Sequence, residues 1–212
     1  MTPQEQNVTI TKGTLVLDGI LGLPAGSRGV VVFAHGSGSG RFSPRNNFVA
    51  RHLQQNGLAT LLLDLLTEDE ADDRHNVFDI DLLADRLLLA KAWLESEVRT
   101  RNLGIGYFGA STGAGAALQA AARERSNIKA VVSRGGRPDL AESYLPSVAA
   151  PTLLIVGGHD EPVIEMNQVA YNLLTCEKKL IIVPGATHLF EEPGTLEQVA
   201  EHAGRWFLRY LI

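Results

Sequence analysis

Short apolar segments alternate with segments of helical periodicity along most of this chain of 212 residues. The apolar segments are rich in valine, leucine and isoleucine, which is typical of strands buried on both faces of a parallel sheet. The predicted strands are two segments within 8–23 on either side of Lys12-Gly13, then 29–34, 59–64, 103–108, 128–133, 152–156 and 179–183. The predicted helices cover 48–56, 80–98, 113–125, 164–175 and 195–210. This alternation predicts an α/β fold in one domain over 1–212, with a mostly parallel sheet and helices on both faces.

Composition excludes several classes of protein. The chain is 45% hydrophobic with a net charge of −5, which indicates a globular domain and gives no sign of nucleic-acid binding. No apolar run approaches the roughly 20 residues of a spanning helix, and residues 1–11 lack the apolar centre of a signal peptide. The single cysteine, Cys176, cannot form an internal disulfide. We therefore expect a cytoplasmic protein with no membrane association, and we expect the acidic segment 68–73 to be a solvated loop.

Four predicted strands are followed by segments that are rich in glycine or carry reactive side chains. In sheets of this kind the carboxyl ends of the parallel strands meet at one edge, where ligands bind. These segments are 35–40, 109–113, 157–161 and 184–188. Their shared position after a strand predicts that they form one site.

The segment Gly109-Ala110-Ser111-Thr112-Gly113 lies between a predicted strand and an alanine-rich predicted helix. A Gly-x-Ser-x-Gly pentapeptide in a strand–turn–helix setting is typical of a nucleophilic serine at the apex of a tight turn. Gly109 and Gly113 would leave room where the two backbones approach closely. The alternative is that Ser111 caps the helix, because serine is favoured at that position.

Ser111, Asp160 and His188 follow the fifth, seventh and eighth predicted strands in the order Ser, Asp, His. A serine hydroxyl needs a base to accept its proton, and a carboxylate fixes the tautomer of a histidine that does so. These three residues therefore form a candidate catalytic triad. Glu161 and Glu165 are the alternatives to Asp160, and His188 could instead be a loop histidine bonded to a carbonyl.

An oxyanion would need backbone donors beside the serine. The amide of Thr112, at the start of the predicted helix, is one candidate. The second candidate is the amide of Ser37, in a loop whose glycines allow close approach of the backbone. His35 is expected to pack behind this loop in a structural role.

Arg134 and Arg41 are candidate substrate-binding residues, because both follow strand ends at the predicted site and arginine binds carboxylate or phosphate with two parallel hydrogen bonds. Arg137 and Arg45 lie close to them in the sequence and share this interpretation. The alternative is that these arginines form ion pairs with Asp139, Asp64 or the acidic segment.

These segments resemble the α/β-hydrolase superfamily, and more narrowly the small serine hydrolases related to dienelactone hydrolase. The resemblance is carried by His35-Gly36-Ser37, the pentapeptide around Ser111, the segment 158–163 and Gly185-Ala186-Thr187-His188. It implies a twisted sheet of eight strands with an antiparallel second strand, and it implies Ser111 as nucleophile, His188 as base and Asp160 as the orienting acid. Only residues 134–151 stand where many relatives insert a helical cap, so we expect little or no cap domain.

The predicted function is a carboxylesterase-type serine hydrolase that acts on a small-molecule ester through an acyl-enzyme. The mechanism needs no cofactor or metal, and His52, His75 and His202 lack the spacing of metal ligands. Dienelactone hydrolases use a cysteine nucleophile, whereas this chain has Ser111, which argues against dienelactone hydrolysis itself. The alternatives are acyl transfer or thioester or amide hydrolysis with the same triad, and a non-catalytic binding module with this fold.

Overall fold

The computed structural model describes residues 4–125 and 127–212, which are built around a twisted open sheet of eight strands. The strands, numbered along the chain, are β1 Gln4–Lys12, β2 Leu15–Leu23, β3 Gly29–Ala34, β4 Ala59–Leu63, β5 Gly104–Ala110, β6 Ile128–Arg134, β7 Thr152–Gly157 and β8 Lys178–Val183. Their order across the sheet is β1-β2-β4-β3-β5-β6-β7-β8. The β2 strand is antiparallel to both neighbours, whereas β3 to β8 pair in parallel. The predicted mostly parallel sheet with an antiparallel second strand is therefore confirmed.

Helices cover both faces of the sheet, as predicted. The helices are α1 Pro44–Gln55, α2 Glu68–Ala71, α3 Arg74–Val77, α4 Ile80–Ser96, α5 Thr112–Glu124, α6 Glu161–Leu173 and α7 Thr195–Tyr210. One core cluster joins the sheet to α1 and α7, and the other joins it to α4, α5 and α6. Val31 and Phe33 of β3 belong to the first cluster, whereas Val30 and Val32 belong to the second. Because both faces are buried, the central strands are apolar throughout instead of alternating.

Two helices begin earlier than the apolar pattern predicts. α1 starts at Pro44, because the Ser43 hydroxyl accepts a hydrogen bond from the amide of Asn46 and proline suits the first turn. α6 starts at Glu161, directly after Asp160, and it ends at Leu173. Cys176 follows the end of this helix.

The acidic segment 68–73 is also not the loop that we predicted. It contains the short helix α2, which opens with a reciprocal cap between Thr67 and Glu70. The Thr67 hydroxyl accepts from the Glu70 amide at 3.3 Å, and the Glu70 carboxylate accepts from the Thr67 amide at 3.0 Å. The sequence does contain the Thr-x-x-Glu pattern that predicts such a cap.

The carboxyl edge of the parallel strands has no cap domain over it. Between β6 and β7, all of whose connecting residues 135–151 are described, the chain forms a 3-10 helical segment at Pro138–Ser147 that packs on α5 and α6. This outcome matches the expectation of little or no cap. Among the helices that the structure describes, none combines the length and apolar character required to cross a membrane.

Candidate active site

Ser111 stands at the apex of the turn that joins β5 to α5. Its backbone lies in a left-handed region, with φ 51° and ψ −124°, which is unusual for a residue with a Cβ atom. A Cβ atom at Gly113 would lie 2.2 Å from the Ala34 carbonyl oxygen, and one at Gly109 would lie 2.4 Å from the Ala114 Cα. Neither position can accept a side chain, which is the physical reason for the Gly-x-Ser-x-Gly pattern.

Backbone hydrogen bonds hold Ser111 in this strained conformation. Its amide donates to the carbonyl of Arg134 at 3.2 Å, and its carbonyl accepts from the amide of Arg137 at 3.0 Å. The Ser111 hydroxyl makes no hydrogen bond that caps α5. The Ser111 side chain therefore does not act as a cap of α5. Backbone strain of this kind is typical of functional positions.

His188 and Asp160 meet beyond the ends of β8 and β7. The Nδ1 atom of His188 lies 2.6 Å from Oδ2 of Asp160, and their side chains are 39% and 14% exposed. Since a carboxylate only accepts, Nδ1 carries the proton and Nε2 is left with its lone pair. Among the described residues the alternatives Glu161 and Glu165 make no hydrogen bond to the histidine.

The histidine ring lies beside the end of β6, the strand that pairs with the one leading to Ser111. A Cβ atom added at Gly135 would lie 3.5 Å from Cε1 and 3.6 Å from Nδ1 of His188. The residue before it, Arg134, accepts the hydrogen bond from the Ser111 amide. In the described part of the chain no hydrogen bond joins the Ser111 hydroxyl to the ring. Such hydrogen bonds are often long or absent before substrate binds.

The loop that carries His188 has its own supports, which the sequence analysis missed. The carboxylate of Glu192 accepts from both the amide and the hydroxyl of Thr187, at 3.1 and 2.7 Å, and these hydrogen bonds lower the pKa of Glu192. Phe190 is 1% exposed and adopts φ 55°, so its buried ring holds a strained turn in place. The neighbouring Glu191 pairs with Arg45 at 3.0 Å. No sequence signal marks these residues, because their partners become neighbours only in the folded chain.

The predicted oxyanion loop packs directly against the candidate nucleophile, Ser111. A Cβ atom at Gly36 would lie 3.0 Å from the Ser111 Cβ. The Ser37 amide donates to the Thr112 hydroxyl at 3.0 Å. The two residues predicted as oxyanion donors are thus in contact, although the Ser37 amide is engaged by a side chain in this state.

His35 links the predicted oxyanion loop to the residues that follow β4. Its Nε2 accepts from the Leu65 amide at 3.1 Å, so Nδ1 carries the proton and donates to the Gly36 carbonyl at 3.0 Å. Burial lowers the pKa of His35, against opposing contributions from that hydrogen bond and from Asp64. The predicted structural role of His35 agrees with these contacts.

A cleft of about 650 Å³ opens beside the oxyanion loop, over the ends of β3 and β4. Its lining includes residues 35–45 on one side and Leu66, Ala71, Val77 and Leu83 on the other. Thr112 also lines the cleft, so the cavity reaches the turn that carries Ser111. The described residues contain no group of His, Cys, Asp and Glu side chains arranged to hold a metal ion.

The family of the chain follows from comparison with known proteins. A model of the dienelactone hydrolase family matches residues 17–210, which include the turn at Ser111 and the pair formed by Asp160 and His188. The chain belongs to the dienelactone hydrolase family. The crystal structure of a dienelactone hydrolase from Anabaena variabilis is 57% identical in sequence, with a TM-score of 0.97 and complete coverage of both chains.

More distant structures share the fold of this dienelactone hydrolase family member. Est1E from Butyrivibrio proteoclasticus superposes with a TM-score of 0.82 at 19% identity, over 96% of this chain and 98% of its own.

Two proteins of Mycobacterium tuberculosis strains, each carrying the provisional name phosphoribosyl transferase, are 57% identical over 208 residues. That match takes in 98% of this chain but 47% of theirs, so the chain spans about half the length of these relatives.

Three of the four candidate arginines have carboxylate partners in this family member. Arg41 contacts Asp64 through its guanidinium and lies 3.4 Å from Asp18. Arg137 pairs with Asp139 at 2.7 Å, and Arg45 pairs with Glu191. The ion-pair interpretation therefore describes Arg41 and Arg137 in this state, and substrate binding by Arg41 stays a prediction.

Arg134 differs from the other three. It is 8% exposed, and no carboxylate among the described residues pairs with it, so the expected ion pair with Asp139, Asp64 or the acidic segment is not formed. Burial and the nearby charge of Arg45 lower the pKa of Arg134 to about 10. The side chain is therefore a buried cation at neutral pH.

Proposed function

We propose that this member of a hydrolase family is a serine hydrolase that cleaves a carboxylic ester through an acyl-enzyme on Ser111. The observation that carries the proposal is the 2.6 Å hydrogen bond between Asp160 and His188, whose ring lies beside Gly135, the residue after the one that accepts from the Ser111 amide. This bond orients the lone pair of His188 Nε2, which is the atom a serine hydroxyl needs as its proton acceptor.

In the proposed reaction the Ser111 Oγ attacks the ester carbonyl while His188 Nε2 takes its proton. The tetrahedral intermediate collapses when His188 returns that proton to the leaving alcohol. A water molecule then attacks the acyl-enzyme, with His188 again as base, and releases the carboxylic acid. Asp160 keeps its negative charge throughout and stabilises the imidazolium.

The backbone amides of Thr112 and Ser37 are the proposed oxyanion donors. Thr112 begins α5, where amides are free of intrahelical partners. The Ser37 amide now donates to the Thr112 hydroxyl, and we propose that the substrate oxygen replaces that hydroxyl as the acceptor. Loss of one such donor lowers turnover by about 10²- to 10³-fold in comparable sites.

Hydrolysis is favoured over transfer to a second substrate because the carboxyl edge of the sheet carries no cap domain. Between β6 and β7 the chain forms only the 3-10 segment that packs on α5 and α6, so we expect water to reach the acyl group. Thioester or amide hydrolysis would use the same three side chains. The transferase name of the mycobacterial relatives describes proteins about twice this length.

Covalent labelling by a fluorophosphonate tests the proposal. We expect the probe to label the wild-type chain on Ser111 and to leave Ser111→Ala unlabelled, with turnover of p-nitrophenyl esters reduced about 10⁶-fold, as in other triads. Ser39→Ala is the matched control, because Ser39 is an exposed serine of the same cleft. Equal labelling of Ser111→Ala and the wild type would contradict the proposal.

A further inference from the structure

Glu192 binds the residue that precedes the candidate base with both of its carboxylate oxygens. Oε1 accepts from the Thr187 hydroxyl at 2.7 Å, and Oε2 accepts from the Thr187 amide at 3.1 Å. These hydrogen bonds lower the pKa of Glu192, so the carboxylate is ionised at neutral pH. Hydrogen bonds to an ionised acceptor are among the stronger ones in proteins. Glu192 therefore fixes both the side chain and the backbone of Thr187.

The backbone of Glu192 is itself fixed to helix α7. Its carbonyl accepts from the Thr195 amide at 3.1 Å and from the Thr195 hydroxyl at 2.7 Å. Thr195 is the buried first residue of α7, and this helix packs on the sheet through one of the two core clusters. Glu192 thus connects a packed helix to the loop that carries His188.

The turn between Thr187 and Glu192 is strained and needs such a connection. Phe190 adopts φ 55°, in the left-handed region that is costly for a residue with a Cβ atom. The Phe190 amide donates to the Thr187 carbonyl at 3.3 Å, which is long for a hydrogen bond. A strained turn persists only where the surrounding contacts determine it. The buried Phe190 ring holds the middle of this turn, and the two hydrogen bonds to Glu192 close its ends.

His188 lies inside this closed turn, directly after Thr187. The segment that carries Asp160 meets the turn on either side of Thr187, because the His159 amide donates to the Ala186 carbonyl at 2.9 Å and Asp160 accepts from His188 Nδ1 at 2.6 Å. A shift of Thr187 would move the imidazole relative to Asp160. Misplacement of a catalytic group by about 1 Å can cost on the order of 10²-fold in rate.

We propose that Glu192 is a positioning residue for His188, and that through Thr187 it keeps the imidazole in the orientation in which Asp160 accepts from Nδ1. This inference rests on the proposed function, in which His188 is the base for both acylation and deacylation. Glu192 acts through Thr187, and its contribution is to hold the orientation of the base during turnover.

The adjacent carboxylate, Glu191, provides a comparison within the same turn. It pairs with Arg45 of α1 at 3.0 Å, and its side chain is 63% exposed. Exposed ion pairs contribute little to stability, because water and salt screen them. Removal of the charge at Glu191 should therefore leave the orientation of His188 unchanged.

Steady-state kinetics with a p-nitrophenyl ester test the proposal. We expect Glu192→Ala to lower kcat by roughly 10- to 100-fold, through misplacement of the base. KM should stay at the wild-type value, because residues 187–192 do not belong to the lining of the cleft. Glu191→Ala is the matched control and should keep the wild-type kcat. An equal loss in both variants, or a wild-type kcat in Glu192→Ala, would overturn the proposal.

Variants of Thr187 test the same contact from its other side. Thr187→Val removes the hydroxyl donor at nearly constant shape and should lower kcat, whereas Thr187→Ser keeps the donor and should retain kcat. In the Glu192→Ala background Thr187→Val should cause no further loss, because both changes remove one shared interaction. Additive losses would overturn the proposal. If Glu192→Ala does not fold, the Thr187 pair decides alone, and equal kcat values in Thr187→Val and Thr187→Ser would overturn it.

The Nδ1 proton of His188 separates this inference from the proposed function. In the proton NMR spectrum of Ser111→Ala, which cannot turn over, the proton of the 2.6 Å hydrogen bond should give a downfield resonance that exchanges slowly with water. Adding Glu192→Ala should broaden or abolish this resonance, and adding Glu191→Ala should leave it. Absence of the resonance before any change at Glu192, or a resonance that Glu192→Ala leaves intact, would overturn the positioning role even if Ser111 of the wild type is labelled. A resonance that depends on Glu192, in a protein whose Ser111 resists labelling, would keep the positioning role and remove the hydrolase.

Discussion

The carboxylate of Asp160 decides which nitrogen of the His188 ring carries the proton. At 2.6 Å it accepts from Nδ1, and because the carboxylate is itself largely buried, water competes poorly for it. A neutral amide in its place could donate to Nδ1 and would place the proton on Nε2. His188 would then present a donor to Ser111 instead of the acceptor that the proposed mechanism requires.

We therefore expect Asp160→Asn to fold normally and to lower kcat by about 10⁴-fold, the loss seen when the same change is made in other triads. Steady-state kinetics with a p-nitrophenyl ester measure this loss, and Glu161→Gln and Glu165→Gln are the matched controls. An Asp160→Asn variant within tenfold of the wild type, or an equal loss in Glu161→Gln, would show that the orienting acid lies elsewhere.

Single residues differ in how much of their role the sequence predicts. Ser111 could be placed at the apex of a turn because its signal is local, with Gly109 and Gly113 on either side of it. The unpartnered state of Arg134 could not be predicted, since it depends on which carboxylates fold next to it. Asp139, only five residues along the chain, pairs with Arg137 instead.

At the scale of elements, the end of β4 holds the predicted oxyanion loop that follows β3. The Leu65 amide bonds to His35, and Asp64 accepts from the Arg41 amide at 2.6 Å. The loop is thus fixed at both of its ends by one neighbouring strand. This support requires a neutral His35, because a protonated Nε2 could not accept the Leu65 amide.

A lower pH should weaken the hydrogen bond between the Leu65 amide and His35. Burial lowers the pKa of His35 in the folded chain, so below about pH 6.5 the unfolded chain binds a proton that the folded chain does not. The free energy of unfolding should then fall as the pH drops, by up to about 1.4 kcal/mol per pH unit from this group. In urea denaturation between pH 7 and 5, the free energy of unfolding of His35→Gln should fall less steeply with decreasing pH than that of the wild type. His75→Gln, at an exposed position, is the control, and equal slopes for His35→Gln and the wild type would contradict this account.

The types and order of the elements were predicted better than their ends. Apolar runs and helical periodicity identify the eight strands and the long helices, but they place the start of α1 at the first apolar residue. The real start depends on the capping hydroxyl of Ser43 and on Pro44. The helix α2 was missed because its charged residues have no apolar stripe, although the Thr67–Glu70 cap is sufficient to start it.

At the scale of the whole molecule, the parallel sheet brings residues from distant parts of the sequence to one edge. Ser111, Asp160 and His188 follow β5, β7 and β8, and the predicted oxyanion loop follows β3. Their chain order and their positions after strands could be predicted. The cleft of about 650 Å³ could not, because one wall comes from α2 and α3, which the sequence analysis did not identify.

The proposed function requires the acyl group to reside on Ser111 during turnover, and mass spectrometry of the reacting enzyme measures this directly. After rapid acid quenching of a reaction with p-nitrophenyl butyrate, we expect a fraction of the chain to gain the mass of one butyryl group. Peptide mapping should place that group on Ser111, and Ser111→Ala should show neither the adduct nor a burst of nitrophenol. Full turnover without an adduct on Ser111, or an adduct on another residue, would contradict the account.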